Sequence, residues 1–234
     1  MGFKAVLFDF DGVIADTELL HYMAFCRILE KQAGRIEKDV YWEKYLGFTD
    51  KEALEAMSRD YGFELTEEKL GWLIDEKAAV FDELASTERC ILKGFAQLTS
   101  SLSKAGIKMA ICSGALFSDI EGIFAAEAER SGKNYFKYFD AVVTADDVSR
   151  GKPHPEGYTK AAEKLARTTA GGLSPAECTV IEDSHWGLEA GAAAGAKTIG
   201  VAGTYSRSEL EPKADMVVDS LTELNAEKIS GIFD

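Results

Sequence analysis

Lys4-Ala-Val-Leu-Phe-Asp9-Phe-Asp11-Gly12 decides the fold. An apolar run of strand type stops at two carboxylates two residues apart, followed at once by glycine. Strand side chains alternate between faces, so Asp9 and Asp11 can converge on one spot at the strand's carboxyl end. Two like charges that close repel unless a cation or a proton lies between them. Open parallel sheets place their ligand sites at such strand ends. Asp and Gly are also ordinary turn residues, so this tip by itself leaves a functional and a purely structural reading open.

Outward from it, four more short apolar segments read as buried strands: Lys4–Phe8 is followed by 108–112, 141–144, 179–181 and 198–201, with 216–218 a sixth candidate. Helical stretches lie between them at 95–105, 117–128, 155–166 and 186–194. Strands alternating with helices predict a parallel sheet covered on both faces, an α/β fold of Rossmann-like type. The interval from Asp16 to about Glu88 breaks the alternation with amphipathic stretches at 19–33, 51–61 and 67–85. An all-α insert after the first strand accounts for it. The expected domains are therefore a discontinuous core, 1–16 with 89–234, and a helical insert, 17–88.

The chain of 234 residues is 46% apolar and 28% charged, enough for a sizeable core. A net charge of −14 argues against nucleic acid or an anionic membrane surface as partner. Four scattered cysteines show neither C-x-x-C nor zinc spacing, the usage of a reduced, cytoplasmic protein. The first residues lack a signal-peptide apolar region and a myristoylation serine, and no apolar run reaches membrane-spanning length. Nothing implies a catalytic dimer, and a monomer is expected.

Three further strand ends carry polar residues. Met109-Ala-Ile-Cys-Ser113-Gly114 sets a hydroxyl and backbone N–H groups before a helix, where a phosphate could sit; Ser is equally a favoured helix cap. Ser149-Arg-Gly-Lys152-Pro153-His154-Pro155 holds a lysine between prolines, a fixed charge for a phosphoryl group or a solvated surface lysine. Val180-Ile-Glu182-Asp183-Ser184 again ends a strand in carboxylates. Acidic oxygens from two strand ends suit a hard cation such as magnesium, although acids before a helix also complement its dipole. Four strand ends bearing Asp-x-Asp, Ser, Lys and Glu-Asp, in that order, resist the structural readings as a set.

These motifs resemble those of haloacid dehalogenase-superfamily phosphohydrolases, in the helical-cap subgroup that includes β-phosphoglucomutase-like and phosphoglycolate-phosphatase-like members. The likeness runs from about Lys4 to Asp219, and Asp9-Phe-Asp11-Gly12-Val with Asp16-Thr17 is its most specific part. It implies Asp9 as nucleophile forming an aspartyl-phosphate, and Asp11 as general acid, then base. It implies Ser113, Gly114 and Lys152 as phosphate-binding, and a magnesium cofactor held by Asp9, the Asp11 carbonyl, Glu182 and Asp183. Asp11 argues against haloacid dehalogenation, because those relatives lack this second aspartate.

The expected activity is hydrolysis of a small phosphomonoester, a sugar phosphate or similar metabolite. The alternatives are a β-phosphoglucomutase-type mutase and, more remotely, a catalytically idle binding protein. The mutases resembled here follow the motif-two serine with a Ser-x-Lys-Asn-like stretch and carry a cap arginine. This chain has Ser113-Gly-Ala-Leu116-Phe117 and Gly47-Phe48-Thr49-Asp50-Lys51 instead. Further cap candidates are Thr17 in the first motif and Lys51 beside Asp50. His21 is an entrance histidine or a structural one. Phe48 is cap core or a wall over the substrate. Lys77 interrupts the stripe Leu70, Ile74, Phe81, Leu84 and either snorkels to water or faces a cleft. Trp186 is bulky where a small residue is expected and would narrow the site.

Overall fold

The computed structural model describes residues 2–46 and 48–233; Met1, Asp234 and Gly47, the head of the 47–51 stretch, lie outside the described residues. The chain divides into two compact units, Met1–Asp16 with Ile91–Asp234, and Thr17–Cys90.

The first unit is built on six parallel strands: β1 (Ala5–Phe8), β2 (Lys108–Cys112), β3 (Ala141–Val143), β4 (Cys178–Glu182), β5 (Lys197–Val201) and β6 (Met216–Val218), in the order β3-β2-β1-β4-β5-β6. β1 pairs with β2 through Phe8↔Ile111 and with β4 through Phe8↔Ile181. The order turns back on itself between β1 and β4, the place where such sheets open a crevice at their carboxyl ends. All four residues of β1 and all five of β4 are buried, as strands covered on both faces require.

The helical elements, in chain order, begin in the second unit with α1 (Thr17–Ala33), α2 (Lys38–Lys44), α3 (Asp50–Tyr61) and α4 (Glu67–Thr87). The first unit holds α5 (Phe95–Lys104), α6 (Phe117–Ser131), α7 (Glu156–Ala166), α8 (His185–Ala193), α9 (Arg207–Leu210) and α10 (Ala226–Ser230). One sheet face carries Leu7, Ala110 and Val180 against Tyr158, Ala161 and Leu165 of α7. Aromatic rings pack elsewhere in this unit, with Phe8 edge-on to Phe95 at 6.0 Å and Phe10 to Phe124 at 5.4 Å. Ala15 bridges to Ile91 within the first unit, so the chain leaves it and returns at adjacent points.

The helical unit has its own core, in which Phe25 and Leu29 of α1 join Tyr41, Tyr45, Leu54 and Leu73. α2 was not expected from the periodicity, because seven residues with one buried side chain give no readable stripe. α3 starts one residue earlier than 51 because Thr49 and Glu52 form a reciprocal capping box. Among the described residues no helix is long and apolar enough to cross a membrane.

Candidate active site

At the tip of β1 the pairing continues one residue past the strand, the Asp9 amide donating to the Ile181 carbonyl at 2.9 Å. Beyond it the chain turns sharply: the Phe10 carbonyl accepts from Ile14 at 2.8 Å and Ala15 at 3.0 Å, and the Gly12 amide donates to the Ala15 carbonyl. Phe10 is wholly buried, which fixes the alternation and leaves Asp9 and Asp11 on its other side. Gly12 is required twice over. Its φ is +70°, and a Cβ there would come within 2.5 Å of the Asp183 Cγ.

Lys152 is not a solvated surface lysine. Its ammonium donates to Asp9 Oδ1 and to Glu182 Oε1, each at 2.6 Å. Glu182 is fully buried and accepts from three more groups besides Lys152 and Tyr158: the Asp183 and Ser184 amides and the Ser184 hydroxyl, all on Oε2. Ser184 in turn accepts from the Gly187 amide at 3.0 Å and caps α8.

Asp9, Glu182 and Asp183 are all buried, and each offers a carboxylate oxygen within 4.8 Å of the others. Three carboxylates against the Lys152 ammonium leave an excess of two negative charges. Burial, then Glu182, raise the Asp9 carboxyl well above its ordinary range, with Lys152 opposing. Burial and Glu182 likewise push Asp183 up to about 8, against the hydrogen bond from Thr204. Burial alone would lower Lys152, but Asp9 and Glu182 outweigh it and hold the ammonium charged. Glu182 is the converse: burial raises it, and the Lys152 charge with the donors above brings it below the usual carboxylate range. Such a cluster fits magnesium on chemistry: all-oxygen donors, buried, and lacking positive charge.

Ser113 does not cap a helix, because α6 begins only at Phe117 with Leu116 before it. Its hydroxyl donates to Asp11 Oδ2 at 3.2 Å and accepts from the Ala115 amide at 2.9 Å. Beside Gly114, Lys152 and His154 a cavity of about 200 Å³ opens on the β2–β3 side. The core candidates Asp9, Asp11, Ser113, Gly114, Glu182 and Asp183 thus come from strand ends of one unit, and Lys152 from the loop between β3 and α7.

In the helical unit, Lys77 is 3% exposed and does not snorkel. It donates to His21 Nδ1 at 2.5 Å and pairs with Asp50 Oδ1 at 2.7 Å. Its charge also lies 5.4 Å and 5.2 Å from the Phe25 and Phe81 ring centroids. Two partners and two aromatic faces replace the water that a snorkelling lysine would seek. Burial first, then Lys77, lower the His21 pKa to about 4, Asp50 opposing, so the ring is neutral and accepts at Nδ1. Phe48 is 47% exposed and therefore not part of that unit's core. Thr17 is buried at the first position of α1. Lys51 is exposed on α3, 3.9 Å from Glu55.

Two residues escaped the sequence reading. Thr204, after β5, donates its hydroxyl to Asp183 Oδ2. Tyr158, buried in α7, donates to Glu182 Oε1 at 3.0 Å and lies under the Lys152 ammonium. The Gly203-Thr204 step after a strand was the signal available for the first; nothing local marks the second.

Comparison with known proteins agrees with this geometry. The chain is 29% identical over 201 residues to a phosphorylated carbohydrates phosphatase of Thermotoga maritima, covering 84% of this chain and 83% of that one. It is 29% identical over 234 residues to the β-phosphoglucomutase of Bacillus subtilis, covering 96% and 92%. The crystal structure of CbbY from Rhodobacter sphaeroides in complex with phosphate superposes with a TM-score of 0.75 at 26% identity, over 95% of this chain and 96% of that one. A family model for haloacid dehalogenase-like hydrolases matches residues 3–195, and with the strand-end site described above the chain belongs to that family of hydrolases.

Proposed function

We propose that the protein is a magnesium-dependent phosphatase that hydrolyses a small phosphomonoester through an aspartyl-phosphate on Asp9. The observation that carries this reading is the Lys152 ammonium, 2.6 Å from both Asp9 and Glu182 at the mouth of the sheet crevice.

Phosphoryl transfer needs positioning and charge neutralisation more than covalent assistance. Lys152 orients the Asp9 carboxylate and would meet the phosphoryl oxygens beside it. Ser113, whose hydroxyl reaches Asp11 at 3.2 Å, would donate to another of those oxygens. Asp11 would protonate the departing alkoxide and later take the proton of the attacking water. Asp9 and Asp183, with the Asp11 carbonyl, would hold the magnesium ion. Glu182, its oxygens already accepting from five donors, adds charge to the cluster while anchoring Lys152. When bound, the ion supplies the positive charge that two excess carboxylates and an incoming phosphate demand.

A mutase reading draws support from the likeness to a β-phosphoglucomutase. Against it stand the apolar Ala115-Leu116-Phe117 stretch and the engagement of Asp50 with Lys77. The test is a panel of phosphomonoesters, including β-glucose 1-phosphate, assayed for inorganic phosphate and for isomers with and without magnesium. Metal-dependent phosphate release, abolished in Asp9→Asn, is expected. Isomer without phosphate would establish the mutase, and silence across the panel would refute both.

A further inference from the structure

Lys152 has to keep a point charge in place at the end of a flexible four-carbon stem. It comes from the loop between β3 and α7, and a cavity of about 200 Å³ beside it is lined also by Cys112, Gly157 and Tyr158. There is thus room for the ammonium to turn away from the Asp9 tip. Asp9 Oδ1 and Glu182 Oε1, each at 2.6 Å, hold it there. An ammonium carries three N–H donors, which leaves one for a phosphoryl oxygen.

One of these two partners changes during the hydrolysis proposed above. As the bond from the Asp9 oxygen to phosphorus forms, the bond from phosphorus to the alkoxide breaks, and Asp11 protonates the alkoxide. The carboxylate charge of Asp9 departs with the alkoxide and, after the proton transfer, resides on Asp11. Water then takes the phosphoryl group and gives a proton to Asp11, and the Asp9 carboxylate returns. Between the two steps Asp9 no longer offers Lys152 a full charge, and Glu182 does.

Tyr158 supports that remaining contact twice. Its hydroxyl donates to Glu182 Oε1 at 3.0 Å, the same oxygen that accepts from Lys152, and its ring centroid lies 5.2 Å from the ammonium. The ring is held by the core: it is 1% exposed and packs with Leu7, Ala110 and Val180 on the sheet face. The preceding Gly157 permits the approach, since a Cβ there would stand 2.8 Å from Cys112 Sγ at the end of β2. A phenylalanine would fill the same volume, so packing does not account for the hydroxyl.

We infer that Tyr158 is a positioning residue for the second half of the reaction: through Glu182 Oε1 and its ring face it keeps the Lys152 ammonium aimed at the phosphoryl group while Asp9 carries that group. The inference rests on the phosphatase reading above and adds to it a residue with no chemical role of its own. As water attacks, a fixed ammonium offsets the charge on the phosphoryl oxygens and meets the returning Asp9 carboxylate, whereas a wandering one does neither.

The test follows p-nitrophenyl phosphate with magnesium by rapid mixing, in the native protein, in Tyr158→Phe, which keeps the ring, and in Tyr158→Leu, which loses ring and hydroxyl. p-Nitrophenolate departs without needing a proton, so hydrolysis of the aspartyl-phosphate governs turnover. In Tyr158→Phe the steady rate is expected to fall about tenfold while an initial burst of about one nitrophenolate per protein is kept. Tyr158→Leu is expected to be slower still, because the ring face is lost as well. The burst counts competent sites, so a loss of folded protein is told apart from slowed hydrolysis. A burst that shrinks in proportion to the rate, or is absent, makes Tyr158 a structural residue and overturns the inference. A Tyr158→Phe rate within about twofold of native overturns it too and leaves the phosphatase standing. No magnesium-dependent release from the native protein, on this ester or on the panel above, overturns the phosphatase reading, and the inference falls with it.

Discussion

Raising the pH of the metal-free protein should destabilise it, and magnesium should remove that dependence. Asp183, buried against Glu182, has its pKa pushed up to about 8 from an ordinary 3.8. A carboxyl that holds its proton more tightly folded than unfolded stabilises the fold at low pH. That stability is lost progressively as the pH climbs from the unfolded value to the folded one, at about 1.4 kcal/mol per pH unit. His21 has the opposite sign: its pKa is lowered to about 4, so stability rises with pH from there to its ordinary 6.5 and is flat above. Glu182, lowered from 4.5, acts only at still more acid pH. Between pH 6.5 and 8 the buried carboxyls therefore stand alone, and Asp183 accounts for a loss of about 1.5–2 kcal/mol across the window. For a chain of this size that is a fall in Tm of about 3–8 °C.

Thermal unfolding followed by circular dichroism in EDTA, at half-unit steps, measures it. Asp9, also raised, adds to the slope in the same direction. With saturating magnesium the carboxylates are ionised and paired in the folded state, so the decline should flatten. Calorimetry in two buffers of different ionisation enthalpy should show about one proton released on magnesium binding near pH 7. Asp183→Asn should give a shallower slope in EDTA. An identical slope with and without magnesium, or one undiminished in Asp183→Asn, would refute the account of the acidic cluster.

Gly12→Ala should lower stability by about 2–4 kcal/mol in denaturant melts, combining left-handed strain with the overlap against Asp183, and should weaken magnesium binding as well. Thr204→Val removes the hydroxyl that donates to Asp183 Oδ2, and a loss of about tenfold in magnesium affinity is expected by titration, with the fold retained. Lys77→Met removes the charge that helps lower His21, so the histidine pKa measured by NMR should rise from about 4 while burial keeps it below 6.5.

The parts of this molecule that could be read from its sequence are those governed by local rules. β1, β2 and β6 are apolar runs bounded by polar punctuation. The residues at the strand tips follow because a parallel sheet brings its carboxyl ends to one edge. Asp9, Ser113, Lys152 and Asp183 come from four separate segments, yet each is placed by its own strand end or the loop beside it. Residues that act on other side chains are not delivered this way. Tyr158 reaches Glu182 across 24 residues through packing of a helix on a strand, and Thr204, in the loop after β5, reaches Asp183 across 21. Lys77 shows the same boundary. The stripe through Leu70, Ile74 and Phe81 puts position 77 on a buried face, from which a lysine can either reach out to water or turn to a cleft. What decides its fate lies 27 and 56 residues away, in Asp50 and His21. A buried ammonium is tolerable only where charge and dipole await it. Helical spacing can place such a group on the inner face, but the contacts that make it stable there exist only after the helices have packed.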